Sequence, residues 1–267
     1  NAGLMSLLQA TGVIMGANIG TTITSQLIAF NLSDIAPLIL FVGMLFFVFI
    51  RKRSLVRIGE IVLGFGILFM GLSLMAQAME PLREMESFRS LLVSFKNPVI
   101  GILFGTLFTA VIQSSSASVG IFQTMATLGL VSLDTGVYVI LGMNIGTCIT
   151  AILAAIGTSV NAKRAAGIHL LIKIVGMLIY LVVLALFPSI VSFIVSLSPD
   201  NVSRQIANFH TLFNVSITVL LFPFTKLMVR IIERIIPEKH APDYVEQKLV
   251  YLSERTAQTP GLALTQT

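Results

Sequence analysis

Four adjacent polar side chains interrupt an apolar stretch near the middle of the chain. Gln113, Ser114, Ser115 and Ser116 lie within Val99–Leu130, which is otherwise largely apolar. Their amide and hydroxyl groups offer N–H and O–H donors for an oxyanion, and oxygen ligands for a cation such as sodium. A single serine in such a segment is typical of close helix packing. Four contiguous polar residues favour a binding element.

An internal repeat is the strongest signal in the sequence. VIMGANIGTTIT at Val13–Thr24 recurs as VILGMNIGTCIT at Val139–Thr150, with nine of twelve positions identical. The glycines permit a helix break and close backbone approach, and the polar residues supply oxygens. A helix-packing face explains the glycine spacing but not the repeated asparagine. The candidate binding residues in the two copies are Asn18, Thr21, Thr22, Asn144 and Thr147.

The spacing of the repeat predicts a second polar hairpin. Gln113 precedes the Gly142 of the second copy, and the equivalent glutamine of the first copy falls before residue 1. We therefore expect the first copy to require its own Gln-Ser-Ser-Ser hairpin, and the chain without it not to transport. Duplicated hairpins and Gly-interrupted spans are typical of inverted-repeat secondary transporters, whose sites lie near the bilayer midplane.

Four further polar residues fall within predicted membrane spans, where such residues are rare and usually functional. They are His169, Lys173, His210 and Asn214. An unpaired ammonium at membrane depth is costly, so Lys173 either attracts an anion or reaches a membrane boundary. Structural, hydrogen-bonded roles are an equal alternative for the histidines. We treat all four as candidates for residues that support the site.

Composition assigns the chain to the membrane. It is 55% hydrophobic and 11% charged, whereas a soluble domain has about 25% charged residues. The net charge of +5 does not indicate nucleic-acid binding, because Lys and Arg cluster at the ends of apolar runs. A lone cysteine excludes a disulfide framework, and we expect no metal other than sodium. The predicted spans are Ile35–Ile50, Ile58–Met79, Val137–Gly157, Ile168–Phe187 and Ile206–Phe224.

The basic loops define a topology. Arg51–Arg53 and Lys163-Arg164 both face the cytoplasm under the positive-inside rule only if Val99–Leu130 enters the membrane and returns as a re-entrant hairpin. With the number of membrane crossings that this topology gives, the two repeat copies run in opposite directions. The sequence therefore predicts an all-α, multi-pass, inverted-repeat transporter with a re-entrant hairpin and broken helices, in the plasma (inner) membrane.

The C-terminal region is predicted to be separate from the transport domain. We assign residues 1–225 to the membrane and 226–267 to a cytoplasmic amphipathic tail. Lys226–Pro237 has apolar residues at helical spacing, which suits either a helix along the interface or a solvated continuation of the last span.

At these motifs the chain resembles the type II sodium/phosphate cotransporter family, in its bacterial branch. The resemblance rests on QSSSAS at Gln113–Ser118, on the two Gly-x-Asn-Ile-Gly-Thr segments, on AKRAAGIH at Ala162–His169 and on IANFHTLFN at Ile206–Asn214. It implies that the polar hairpin and the Asn and Thr residues of both copies form the phosphate and sodium site. It also implies that Tyr244–Thr267 begins a PhoU-like domain. Lys173 departs from the family, since the resemblance implies an asparagine there.

The resulting expectation is sodium-coupled symport of inorganic phosphate, with sodium as the co-transported ion and the lipid bilayer as the environment. The alternatives are a phosphate-sensing membrane regulator without net transport, and a symporter for another small oxyanion. An intramembrane hydrolase using Ser115 and His169 is disfavoured, because no catalytic motif is present and the contiguous serines suit ligand coordination. We expect no enzyme activity. The sequence does not decide whether the protein forms a homodimer.

Overall fold

The computed structural model describes residues 5–238, and this part of the chain is built from α-helices joined by turns and short 3₁₀ segments. The tail beyond Glu238, including the predicted PhoU-like segment, lies outside the described residues. The helices, in chain order, are α1 (Leu7–Ile28), α2 (Ala36–Phe49), α3 (Arg53–Met79), α4 (Glu86–Ser94), α5 (Pro98–Ile112), α6 (Ser115–Thr127), α7 (Leu133–Gly146), α8 (Cys148–Ala155), α9 (Val160–Leu186), α10 (Ser189–Leu197), α11 (Val202–Leu221) and α12 (Thr225–Ile235).

The helices confirm an all-α membrane protein. In the described residues four helical segments are long and apolar enough to cross a bilayer, and two bent pairs bring the total to six. The segments are α3 with the turn that follows it, α7 with α8, α9, and α11 with α12, while α1 with α2 and α4 with α5 form the bent pairs. Each of the five predicted spans corresponds to one of these helices. The first of them, α2, has only 14 residues and meets α1 at a bend of 73°.

The predicted break in Val99–Leu130 is confirmed. α5 ends at Ile112, and Gln113 adopts the left-handed conformation with φ of 60°. Ser114 then caps the new helix α6 by accepting a hydrogen bond from the backbone N–H of Ala117. A side chain in the left-handed region carries a steric cost, so the break is a defined feature of this chain.

The two repeat copies differ in their backbone. In the second copy the helix pattern is perturbed only at Thr147, between α7 and α8, where the backbone keeps right-handed helical angles and the N–H still donates to the carbonyl of Met143. The prediction of an interruption in the first copy is wrong, because α1 runs unbroken from Leu7 to Ile28 through Gly16 and Gly20. Glycine permits a break without requiring one, and here the helix hydrogen bonds are retained.

Glycines bring α5 and α7 into backbone contact. A Cβ atom added to Gly105 of α5 would meet the backbone of Val139, and one added to Gly142 of α7 would meet the backbone of Ile102. Thr106 extends the contact by donating to the carbonyl of Gly142 at 3.1 Å. The glycines of the second copy therefore serve packing, as a small-residue interface in a membrane allows.

The last helices form one segment. α11, the 3₁₀ turn Phe222–Phe224 and α12 run as a single helical stretch of 34 residues. Met228 and Ile232 of α12 are buried, and α12 packs against α1 and α9. This geometry favours continuation of the last span over a separate helix lying along the interface.

Candidate functional site

The polar hairpin tip lies beside the end of the first repeat copy. Gln113 and Ser114 are exposed, while Ser115 and Ser116 are half-buried in the first turn of α6. Ser114 and Ser116 line a cavity of about 520 Å³ together with Thr24 of α1. Apolar residues of α3 form the opposite wall.

The start of α6 suits an oxyanion. The first N–H groups of a helix have no helical partner, and the helix dipole places partial positive charge there. Ser114 already satisfies the N–H of Ala117. The backbone amides and hydroxyls of Ser115 and Ser116 are further hydrogen-bond donors in the first turn of α6, and Ser116 lines the cavity.

A second polar cluster is buried among α7, α9 and α11. The ammonium Nζ of Lys173 donates to Oδ1 of Asn144 at 2.8 Å and to Oδ1 of Asn214 at 3.0 Å. All three side chains are at most 4% exposed. Among residues 5–238 no carboxylate lies within ion-pair distance of this ammonium. The cation is held by neutral amide oxygens.

The two histidines lie near this cluster on α9 and α11. His210 is buried, and its Nδ1 has no hydrogen-bond partner within the part of the chain that the structure describes. Its backbone carbonyl accepts from the side-chain amide of Asn214 at 2.9 Å. His169 is half-buried and lines a small, mostly alanine-walled cavity between α8 and α9.

The repeat threonines bond to their own helices. Thr21 donates to the carbonyl of Asn18 at 2.9 Å, Thr22 to that of Ile19 at 2.7 Å, and Thr147 to that of Met143 at 2.9 Å. Each hydroxyl oxygen keeps a lone pair for a ligand. The Asn18 side chain is buried, and no residue of 5–238 hydrogen-bonds to it.

The structure thus joins some of the candidates and not others. Asn144, Lys173 and Asn214 are directly hydrogen-bonded, although they come from three helices far apart in sequence. The hairpin residues Gln113–Ser116 make no hydrogen bond to them within residues 5–238. The polar residues therefore form two groups, the hairpin tip facing α1 and the amide cluster in the core.

One buried polar residue was missed by the sequence analysis. Gln123 of α6 is fully buried, and its Nε2 lies 3.0 Å from the carbonyls of both Ser25 and Ser203. Its Oε1 accepts from the hydroxyl of Ser25 at 3.2 Å. Gln123 therefore connects α1, α6 and α11. The signal that could have found it is an amide inside the apolar second half of the predicted hairpin.

Comparison with known proteins decides the family. A model described as Na+/Pi-cotransporter matches residues 1–77 and 78–220. The chain belongs to the Na+/Pi-cotransporter family. This confirms the resemblance drawn from the sequence motifs, and the buried amide cluster and polar hairpin are therefore features of a phosphate-transporter family member.

Named relatives of this chain fall into bacterial and mammalian groups. It is 34% identical over 240 residues to the uncharacterized protein YqeW of Bacillus subtilis, covering 90% of this chain and 76% of that protein. It is 27% identical over 262 residues to the putative inorganic phosphate export protein YjbB of Escherichia coli K12, covering 98% of this chain and 47% of that protein. The chain thus spans about half the length of the YjbB proteins that it matches.

A shorter match reaches the mammalian cotransporters. The chain is 38% identical over 72 residues to the rat sodium-dependent phosphate transport protein 2A, covering 26% of this chain and 11% of that protein. No solved structure matches the chain.

Proposed function

We propose that this protein couples the movement of inorganic phosphate to sodium across the plasma membrane, with the C-terminal tail on the cytoplasmic side. The name of the family and that of the rat relative support the pairing of sodium with phosphate. The observation that carries the proposal is the side chain of Asn144. This repeat asparagine presents its amide oxygen to a cation inside the membrane domain, the ammonium of Lys173. Transporter sites hold cations with such oxygens.

Phosphate is assigned to the hairpin tip. Phosphate has four oxygens and carries negative charge, so it needs many donors and a positive local potential. The helix break at Gln113 places serine hydroxyls and helix N–H groups at the start of α6, where Ser114 and Ser116 line the cavity. Asn18, Thr21 and Thr22 lie on the adjoining α1 and offer oxygens for sodium.

Transport is tested with the full-length protein in proteoliposomes. Uptake of labelled phosphate is measured under an inward sodium gradient and with choline in place of sodium. The proposal expects uptake that depends on sodium. Equal uptake in choline would refute the coupling, and competition by other oxyanions such as sulfate measures how selective the site is for phosphate.

The hairpin residues are tested by binding. We expect Gln113→Ala and Ser115→Ala to abolish the rise in melting temperature that phosphate produces, while membrane insertion is unchanged. Ser87→Ala is the matched control, because Ser87 is exposed on α4 and away from the cavity. An unchanged phosphate-dependent shift in both hairpin variants would remove these residues from the site.

The description of the YjbB relatives as phosphate export proteins favours a second candidate, export of phosphate. Export is distinguished from uptake by loading the vesicles with phosphate and following its release. If release requires a sodium gradient directed outward, both directions use one coupled mechanism. Release that is independent of sodium would favour an exporter of a different kind.

A further inference from the structure

The buried ammonium of Lys173 occupies a position built from oxygens. Its Nζ lies between Oδ1 of Asn144 on α7 and Oδ1 of Asn214 on α11. A lysine ammonium is a compact point charge, and sodium carries the same charge and prefers the same type of ligand. The two amide oxygens would suit either cation.

The orientation of both amides is fixed by their own helices. Nδ2 of Asn144 donates to the carbonyl of Ile140 at 3.0 Å, and Nδ2 of Asn214 donates to that of His210 at 2.9 Å. Each nitrogen is therefore turned away from the centre of the cluster, and each oxygen is turned toward it. The helices thus present two amide oxygens to the ammonium that lies between them.

A comparison of two segments of the sequence relates the ammonium of Lys173 to an amide. Lys173 and Asn214 stand at the same position in two similar segments, each four residues after a histidine (His169 and His210). In α11 this position supplies an amide oxygen, whereas in α9 it supplies an ammonium. Replacing an amide by an ammonium at such a position exchanges a cation ligand for the cation.

The first repeat copy provides a contrast. Asn18 is the repeat equivalent of Asn144, and it too is buried. Within residues 5–238, however, no side chain donates to its amide oxygen. One asparagine of the repeat holds a cation of the protein, and the other is free to hold a mobile one.

We propose that Lys173 is a resident cation that takes the place of one sodium ion between Asn144 and Asn214. The inference rests on the proposed function, because it implies that this half of the protein co-transports one sodium ion fewer than it would with an asparagine at position 173. The mobile sodium then binds at the first copy, and removal of the ammonium opens a new sodium site at the second.

The test compares sodium-dependent stabilisation of the wild type and Lys173→Asn. Each purified protein is melted in sodium chloride and in choline chloride at equal ionic strength. We expect Lys173→Asn to gain a sodium-dependent rise of about 5–10 °C beyond that of the wild type when sodium exceeds its Kd about a hundredfold. Lys163→Asn, at an exposed position of the same helix, should show no gain.

A second variant separates this role from attraction of substrate. Lys173→Met removes the charge without supplying an oxygen, so its gain in sodium dependence should be smaller than that of Lys173→Asn. The proposal is overturned if neither variant gains sodium dependence while both lose phosphate-dependent stabilisation. Lys173 would then be the partner of the anion.

A further test uses the wild-type protein alone. A cryo-EM map in sodium and phosphate should show the Lys173 side chain between the two amides. A separate ion there, with the lysine turned away, would overturn the inference. If wild-type phosphate flux proves independent of sodium, the proposed coupling fails, whereas sodium binding by Lys173→Asn would still uphold the resident-cation role.

Discussion

Replacing Gln123 by leucine should destabilise the membrane domain more than any comparable change on its surface. The substitution keeps the size of the side chain but removes every polar contact among Gln123, Ser25 and Ser203. These contacts join α6 to α1 and α11, so the cost falls on the packing of three helices. The carbonyl of Ser25 also accepts from the N–H of Ala29, so the loss is that of the contacts made by Gln123 itself.

The magnitude follows from the contacts. Nε2 has two N–H groups shared among the carbonyls of Ser25 and Ser203 and the Ser203 hydroxyl, and Oε1 accepts one hydrogen bond. A side-chain hydrogen bond in a membrane protein contributes about 0.6 kcal/mol on average. Three such bonds contribute about 2 kcal/mol, which corresponds to a fall in melting temperature of about 4–8 °C.

The assay is thermal unfolding of purified protein in detergent, followed by tryptophan-independent methods such as circular dichroism, since the chain contains no tryptophan. Gln77→Leu is the matched control, because Gln77 is exposed on α3 and should melt within about 1 °C of the wild type. If Gln123→Leu also melts within that range, the amide does not connect the three helices and the reasoning is refuted.

Three further predictions concern packing, the hairpin backbone and topology. Gly105→Leu should lower the free energy of unfolding by more than about 3 kcal/mol, because the new side chain would meet the backbone of α7. Gly16→Leu is the control and should change stability little, because Gly16 faces open space. Equal melting temperatures of the two variants would contradict the contact. Gln113→Gly should raise the free energy of unfolding by about 1 kcal/mol, because glycine adopts the left-handed conformation without the steric cost. The same variant should lose the rise in melting temperature that phosphate produces. If that rise is retained, the Gln113 side chain does not bind phosphate. In a Cys148→Ser background, Lys52→Cys should react with a membrane-impermeant maleimide only from the cytoplasmic side and Lys96→Cys only from the other; labelling of both from one side would overturn the topology.

The sequence predicted the elements whose signals are local. The apolar runs gave five spans, and the four polar residues at Gln113–Ser116 indicated the break between α5 and α6. The interruption expected in the first repeat copy was wrong, because the same glycines are compatible with a continuous helix. Whether a glycine breaks a helix depends on what packs against it, and α1 differs from α7 in this respect.

The amide cluster could be predicted only in part. The sequence predicts Lys173 and Asn214 as polar residues within membrane spans and Asn144 as a binding residue of the repeat. Their mutual hydrogen bonds are not predicted, because no local pattern says that α7, α9 and α11 bring these positions together. Gln123 was missed for the related reason that a single amide in an apolar helix gives no sign of its partners.

The backbone contact between α5 and α7 restricts how the protein can move. At Gly105 and Gly142 the two helices touch through backbone atoms, so one cannot slide past the other without losing this close fit. We therefore expect α5 and α7 to move together as one unit in any conformational change of the protein.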